Sequence, residues 1–287
     1  VIEQIPPEIS RHLATHGPMR LICGALGSAQ GTSCRVAPFD DVLYCLVSED
    51  NPALRQLLKA PQARLELADK EAGIVIKIRG RSVPGRSVLA HPRRSELLHW
   101  VPEDQDPRRL LAVPLWAEHI QFDKGEESFS GETPQGRDRP RAAHCWKEAA
   151  FSNILPALGF AWFSLWMWVA YAGSGDLIWQ AYSLGLSGLA VTGLQVGSNL
   201  LYKSQCFRGF LTGRILAKSC PVLARGLLPY ETVKRTGLSL LGLGLGLAVL
   251  VNAMDPVLLP VAGAVSLIWV LWPMWTIHLL QKEPEKE

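Results

Sequence analysis

Charge is scarce in this chain: Asp, Glu, Lys and Arg make up 19% of its 287 residues, against roughly 25% in an average globular protein. The shortage is local, because residues 1–147 are charged at ordinary density while from Ala149 onward long stretches carry no charge. With 48% hydrophobic residues the chain is too apolar for intrinsic disorder. Cysteine pairing motifs are missing as well. None of Cys23, Cys34, Cys45, Cys145, Cys206 and Cys220 forms a C-x-x-C pair, which excludes ribbon-type zinc sites and dithiol redox motifs and favours free thiols in a reducing compartment. His91, His99, His119 and His144 have no cysteine pair at zinc-ligand spacing, so no metal site is expected. No nucleophile elbow, P-loop or dinucleotide fingerprint occurs, and no catalytic residue is assigned. A net charge of +3 is too mild to imply a nucleic-acid partner.

What the chain does have is four uncharged stretches. Residues 149–175 and 177–202 are separated only by the turn at Asp176, and residues 236–254 and 257–281 only by Asp255 and Pro256. Runs near 20 apolar residues are long enough to cross ~30 Å of hydrocarbon, so the pattern predicts two transmembrane hairpins, residues 149–202 and 236–281, followed by a polar tail at 282–287. The connection 203–235 holds Lys203, Arg208, Arg214, Lys218, Arg225, Lys234 and Arg235 against Glu231 alone, and Arg137, Arg139, Arg141 and Lys147 precede the first span. Cations gather on the cytoplasmic side of spanning segments. The expectation is therefore a multi-pass protein of a bacterial inner membrane with its N-terminal domain, basic loop and C-terminus in the cytoplasm; no secretory signal is read ahead of the N-terminal domain.

Several features refine this half. Residues 205–216 alternate apolar side chains with Arg208 and Arg214 and predict a helix lying in the interface against anionic lipid, bounded by Pro221. Gly193 with Gly197, and Gly242 with Gly246, are G-x-x-x-G pairs that favour close helix contacts, within the chain or with another. Trp162, Trp166, Trp168, Trp269, Trp272 and Trp275 suit interfacial anchoring. His278 is the one ionisable residue inside a span, and without a second intraspan histidine these helices do not make a b-type cytochrome.

The first 127 residues are built differently. Residues 7–16 show a short helical pattern; runs at 21–26, 42–47, 63–67, 73–79 and 111–122 are strand-like, with helical segments at 51–58 and 92–98. The reading is a small β-barrel with inserted helices, then a polar linker at 128–148, so the whole is α+β: an N-terminal barrel followed by an all-α four-span domain.

The order of these pieces resembles the FMN-binding split-barrel superfamily of pyridoxamine 5'-phosphate oxidase-like proteins. The matching parts are the opening helix at 5–14, the core strand at 41–48 with its following helix at 51–58, the strand lead-in at 59–65, Ile78 to Arg81 in the barrel, and the last strand at 113–122. In flavin-binding members a strand ending in Thr or Ser leads to a Ser-x-Lys-like helix start that holds the FMN phosphate. Here the strand ends at Ser48 and the helix starts at Asn51, Pro52 and Ala53, with no lysine. Losing a charge-assisted contact of this kind costs on the order of 1.5 to 3 kcal/mol. Arg35 on the preceding strand and Arg55 in the helix are the substitutes, so the resemblance implies an FMN site at Arg35, Ser48, Asn51 and Arg55, or else a pocket that holds none.

Two functions follow as expectations. One is a membrane-anchored flavin-type split-barrel protein, a redox subunit or partner of a membrane electron-transfer complex. The other is a cofactor-free accessory subunit that docks other membrane subunits. Heme handling is a third, since some split-barrel proteins bind heme, but no histidine takes that role.

Overall fold

The computed structural model of the chain describes residues 6–15, 19–23, 31–39, 42–69, 72–125, 127–151 and 177–254. They fall into two compact units, one drawn from Val1–Ala142 and Phe207–Glu231, the other from Ala143–Cys206 and Thr232–Glu287.

The first unit opens with α1 (Pro7–Thr15), where proline sits at the first helical position and Glu8 in the first turn, both favourable at a helix start. Ile9 and Leu13, one turn apart, bury its inner face. Strands follow: β1 (Met19–Cys23), β2 (Thr32–Pro38), β3 (Leu43–Ser48), β4 (Gln62–Asp69), β5 (Ile74–Ser82), β6 (Arg86–Ser87), β7 (Leu110–Lys124) and β8 (Glu127–Glu132). Alternation puts Leu43, Cys45 and Val47 of β3 and Ile74, Ile76 and Ile78 of β5 in one core. Neighbours pair antiparallel in the order β3-β2-β1-β4-β5-β7, and β3 pairs back with β7, so six strands close into a barrel.

Closure depends on β7, a strand of 15 residues. Its first half pairs with β3 from Leu110 to Leu115, and its second half pairs with β5 as far as Lys124. The register shifts at Arg79/Gly80 as a bulge, and a Cβ at Gly80 would lie 2.0 Å from the Trp116 carbonyl oxygen, so only glycine allows this approach. Beside it the buried Arg81 pairs with Glu118 at 2.5 Å.

Three short helices dress the barrel: α2 (Ala53–Lys59), α3 (Arg94–Leu98) and α4 (Pro134–Arg137). Leu97 of α3, with Val88, packs on Leu46, Leu110 and Ala112 from the outer face of β3 and β7. The expected linker at 128–148 is a correction. Residues 127–132 form β8 on the open edge of β7, with Phe129 stacked on Phe122 at 5.4 Å, and Thr133 Oγ1 donates to the Ala117 carbonyl. After α4 comes α5 (Ala142–Phe151).

The second unit holds α5, most of α6 (Leu177–Leu211) and most of α8 (Tyr230–Met254); α7 (Pro221–Ala224) is the short turn of helix in the connection between them. The helix expected at 205–216 is also corrected. Residues 205–211 are the last turns of α6, and the chain then reverses at Gly213 in a left-handed conformation (φ 77°). Gly193 and Gly197 do lie at a helix contact: a Cβ on Gly197 would be 2.6 Å from the Leu241 nitrogen, and one on Gly244 2.6 Å from that of Leu194. Gly242 and Gly246 face no atom within 4 Å, so the second G-x-x-x-G pair is at no contact among the described residues. Asn199, buried on α6, donates from Nδ2 to the Ala150 carbonyl at 2.9 Å.

Among the described residues one helical segment, Tyr230–Leu250, is long and apolar enough to cross a membrane, with a mean hydropathy of 1.4. Only 22% of it is buried, unlike a core helix, and Leu243 and Val249 stand exposed. Most of the expected first span, all of the fourth from residue 257 onward, the turns at Asp176 and at Asp255 and Pro256, His278 and the six tryptophans proposed as anchors lie outside the described residues.

Candidate functional site

The start of β2 lies beside the end of β3 on the outer wall of the barrel, and the segment from Pro102 to Leu110 runs across that edge. Together they bound a recess of about 530 Å³, within the size range of cofactor pockets. Arg35, Ser48 and Asn51, three of the residues expected from the sequence, line it together with Thr32, Ser33 and Arg109.

Each is there for a local reason. In β2 the inward positions are Cys34 and Val36, so Arg35 projects outward. Ser48 is the last residue of β3 and exposed. Asn51 stands two residues ahead of α2: its Oδ1 accepts from the Ala53 nitrogen at 2.9 Å, while its Nδ2 donates to Thr32 Oγ1 at 2.8 Å, tying the lead into the helix to β2. Asn51 is therefore a structural clamp that sets the rim of the recess.

Arg55 does not line the recess. Ala53, Leu54 and Leu57 are the buried face of α2, which leaves Arg55 exposed and outside it. The second guanidinium comes instead from Arg109, at the end of the 3₁₀ turn Pro107–Arg109. The Glu49 nitrogen donates to the Arg109 carbonyl at 2.9 Å and so holds that turn beside the end of β3. Sequence reasoning passed over Arg109 because it lies far along the chain; its one signal is that it immediately precedes the last barrel strand.

The electrostatics are mixed. Arg35 and Arg109 face Asp104 and Asp106 in the same lining. Asp106 is partly committed, its Oδ1 accepting from the Arg108 nitrogen at 2.9 Å. Two guanidinium groups with the hydroxyls of Thr32, Ser33 and Ser48 are a donor set that fits a phosphate monoester. The aspartates lower the net positive charge that phosphate would meet.

Cys34 also lines the recess. None of the six cysteines is in a disulfide, and all are buried. Burial and the nearby Cys34 push Cys23 up to about 12, and a hydrogen bond with Cys34 together with burial raises Cys45 well above the usual thiol range, so both stay protonated and weakly nucleophilic at neutral pH. Among the described residues no group of three or more His, Cys, Asp or Glu side chains could hold a metal ion.

No protein-family model matches this chain, and no curated protein matches it. Among solved structures it is similar to a protein from Clostridium acetobutylicum related to general stress protein 26 of B. subtilis, of the pyridoxinephosphate oxidase family. The identity is 13% over 44% of this chain and 92% of that one, with a TM-score of 0.35. General stress protein 26 of Bacillus anthracis matches at 16% identity over 42% and 95%, with a TM-score of 0.32. A heme binding protein from Mycobacterium smegmatis matches at 16% identity over 56% and 74%, with a TM-score of 0.33. The closed barrel itself is defined by the strand pairing described above.

Proposed function

We propose that the chain is a membrane-anchored split-barrel protein of flavin type, serving as a redox subunit or partner of a membrane electron-transfer complex. The observation that carries this reading is the recess at the ends of β2 and β3, where two arginines and three hydroxyls converge in a volume of about 530 Å³. Arg35 and Arg109 would hold the phosphate of FMN, with Ser48, Thr32 and Ser33 as hydroxyl donors and Asn51 fixing the rim. When bound there, FMN would supply one- and two-electron redox chemistry.

The anchoring part of the proposal draws on the exposed apolar helix Tyr230–Leu250, on the uncharged stretches of the sequence and on the cations that flank only one set of their ends. In this reading the chain crosses a bacterial inner membrane four times with the barrel on the cytoplasmic side. The exposed Leu238, Leu243 and Val249 of α8 meet lipid or other membrane subunits.

A second reading has its own support. Asp104 and Asp106 oppose an anionic ligand and favour a cofactor-free barrel that serves as a docking module. The absorption spectrum of the full chain purified from its native membrane separates the readings. Flavin bands near 370 and 450 nm are expected, on the order of one flavin per chain. A Soret band would move the function to heme, and a spectrum with neither would leave the docking module.

A further inference from the structure

Further along the outer wall of the barrel lies a second recess, also of about 530 Å³, with a different chemical character. Its floor comes from β3 and β7 through Tyr44, Pro114 and Trp116, one side from Arg86, His91 and Arg93, and the other from residues 210–225. That last segment adds Phe210, Lys218 and Arg225. Four cations therefore line the recess, and among the described residues no carboxylate does. The first recess, by contrast, balances two arginines with two aspartates.

The cations are held in a built setting. Arg86 is buried, donates from one terminal nitrogen to the Ile215 carbonyl at 2.7 Å and lies 4.1 Å over the Phe210 ring. Arg93 lies 4.9 Å over the Phe39 ring, while Lys218 and Arg225 are exposed. His91 stands edge-on to Tyr44 at 4.9 Å and accepts at Nδ1 from the Arg93 nitrogen at 3.1 Å. A neutral imidazole that accepts at Nδ1 carries its proton at Nε2, which makes it a donor. Burial first, then the charges of Arg86 and Arg93, lower the His91 pKa to about 4.

The walls are as apolar as the rim is cationic. Trp116, Phe210, Leu216 and Pro221 offer ring and aliphatic surface, and Arg225 stands just before Tyr230, the first residue of the exposed apolar helix. We propose that this recess binds a phosphate ester with an apolar body, and specifically the headgroup of an anionic phospholipid. The phosphate sits among Arg86, Arg93, Lys218 and Arg225, and the glycerol and acyl stem lie along the aromatic wall. The lipid assignment rests on the membrane anchoring proposed above; the phosphate chemistry does not.

Calorimetric titration of the full chain in nonionic detergent tests this, using dihexanoyl phosphatidylglycerol, dihexanoyl phosphatidylcholine and inorganic phosphate, each lipid below its own micelle concentration. Phosphatidylglycerol is expected to bind at least tenfold more tightly than phosphatidylcholine. The double variant Arg93→Glu with Lys218→Glu, both exposed, is expected to lose at least tenfold of that affinity while its far-UV spectrum stays unchanged. Inorganic phosphate binding as tightly as phosphatidylglycerol would uphold the anion site and overturn the lipid as its source. Equal binding of both lipids with no effect of the charge reversal would overturn the proposal altogether. The ligands are presented in solution, so failure here leaves the anchoring to be judged separately by membrane fractionation of the chain.

Discussion

The guanidinium of Arg86 lies 4.1 Å from the centre of the Phe210 ring, joining the start of β6 to a segment more than a hundred residues later in the chain. The same side chain donates to the Ile215 carbonyl at 2.7 Å. Residues 207–231 thereby belong to the same compact unit as the barrel, and the basic stretch read from sequence as a membrane-facing loop is in part a wall of that unit.

Replacing Arg86 by alanine removes a buried charge-assisted hydrogen bond and a cation–π contact, and is expected to destabilise the barrel unit by on the order of 3 kcal/mol. Arg86→Lys keeps the charge but not the planar donor fork and should recover less than half of the loss. Thermal unfolding of the three forms checks this; equal midpoints for wild type and Arg86→Ala would refute it.

His91 gives the unit a defined acid response. Its pKa is lowered from 6.5 to about 4 by burial and by Arg86 and Arg93, so between those values the unfolded chain binds a proton that the folded one does not. Stability therefore falls as pH drops from 6.5 to about 4 and changes no further through this group below that. Denaturant midpoints at pH 7 and pH 4.5 should differ more for wild type than for His91→Gln. An equal pH dependence in the two would remove His91 from the account.

Close packing of α6 on α8 needs glycine at particular positions. A Cβ on Gly197 would meet backbone atoms of Leu241 and Gly237 at 2.6 and 2.8 Å, whereas one on Gly242 meets nothing within 4 Å. Gly197→Leu is expected to cost about 2 to 3 kcal/mol or to part the helices, and Gly242→Leu to be nearly neutral. Thermal denaturation in detergent followed by far-UV dichroism compares them, and equal midpoints would contradict the contact.

The strands most visible in the sequence were those with strict alternation into the core, such as Ile74, Ile76 and Ile78 of β5, because burial on one face imposes a period of two. β8 was read as linker because Ser128, Ser130 and Gly131 carry no apolar pattern; it is a strand because the free edge of β7 supplies its hydrogen bonds and Phe122 receives Phe129. At the candidate site, Arg35 and Ser48 could be found from alternation and a strand end. Arg55 lies outside the recess because the burial of Leu54 and Leu57 sets the rotation of α2, which the local pattern alone does not reveal. Arg109 comes to the recess through the long-range pairing of β7 with β3, and its one signal in the sequence is its place just before that strand.

Topology is open to a direct test. Ser174, outside the described residues, belongs to the turn expected on the outer side. A cysteine there should react with a membrane-impermeant maleimide in intact cells, while one at Ser130 should react only after lysis. The reverse pattern would invert the orientation, and protection of both would reject the first hairpin.

The central claim is that the recess beside Arg35 and Arg109 is a flavin site. Titrating the full chain with FMN and following the quenching of flavin fluorescence tests it most directly. Saturable binding is expected for wild type and for Arg55→Ala, and a loss of at least tenfold in affinity for Arg35→Ala and for Arg109→Ala, in keeping with the removal of one charge-assisted phosphate contact in each. Absence of saturable binding in the wild type, or binding that Arg55→Ala abolishes while Arg35→Ala and Arg109→Ala leave it intact, would contradict the assignment.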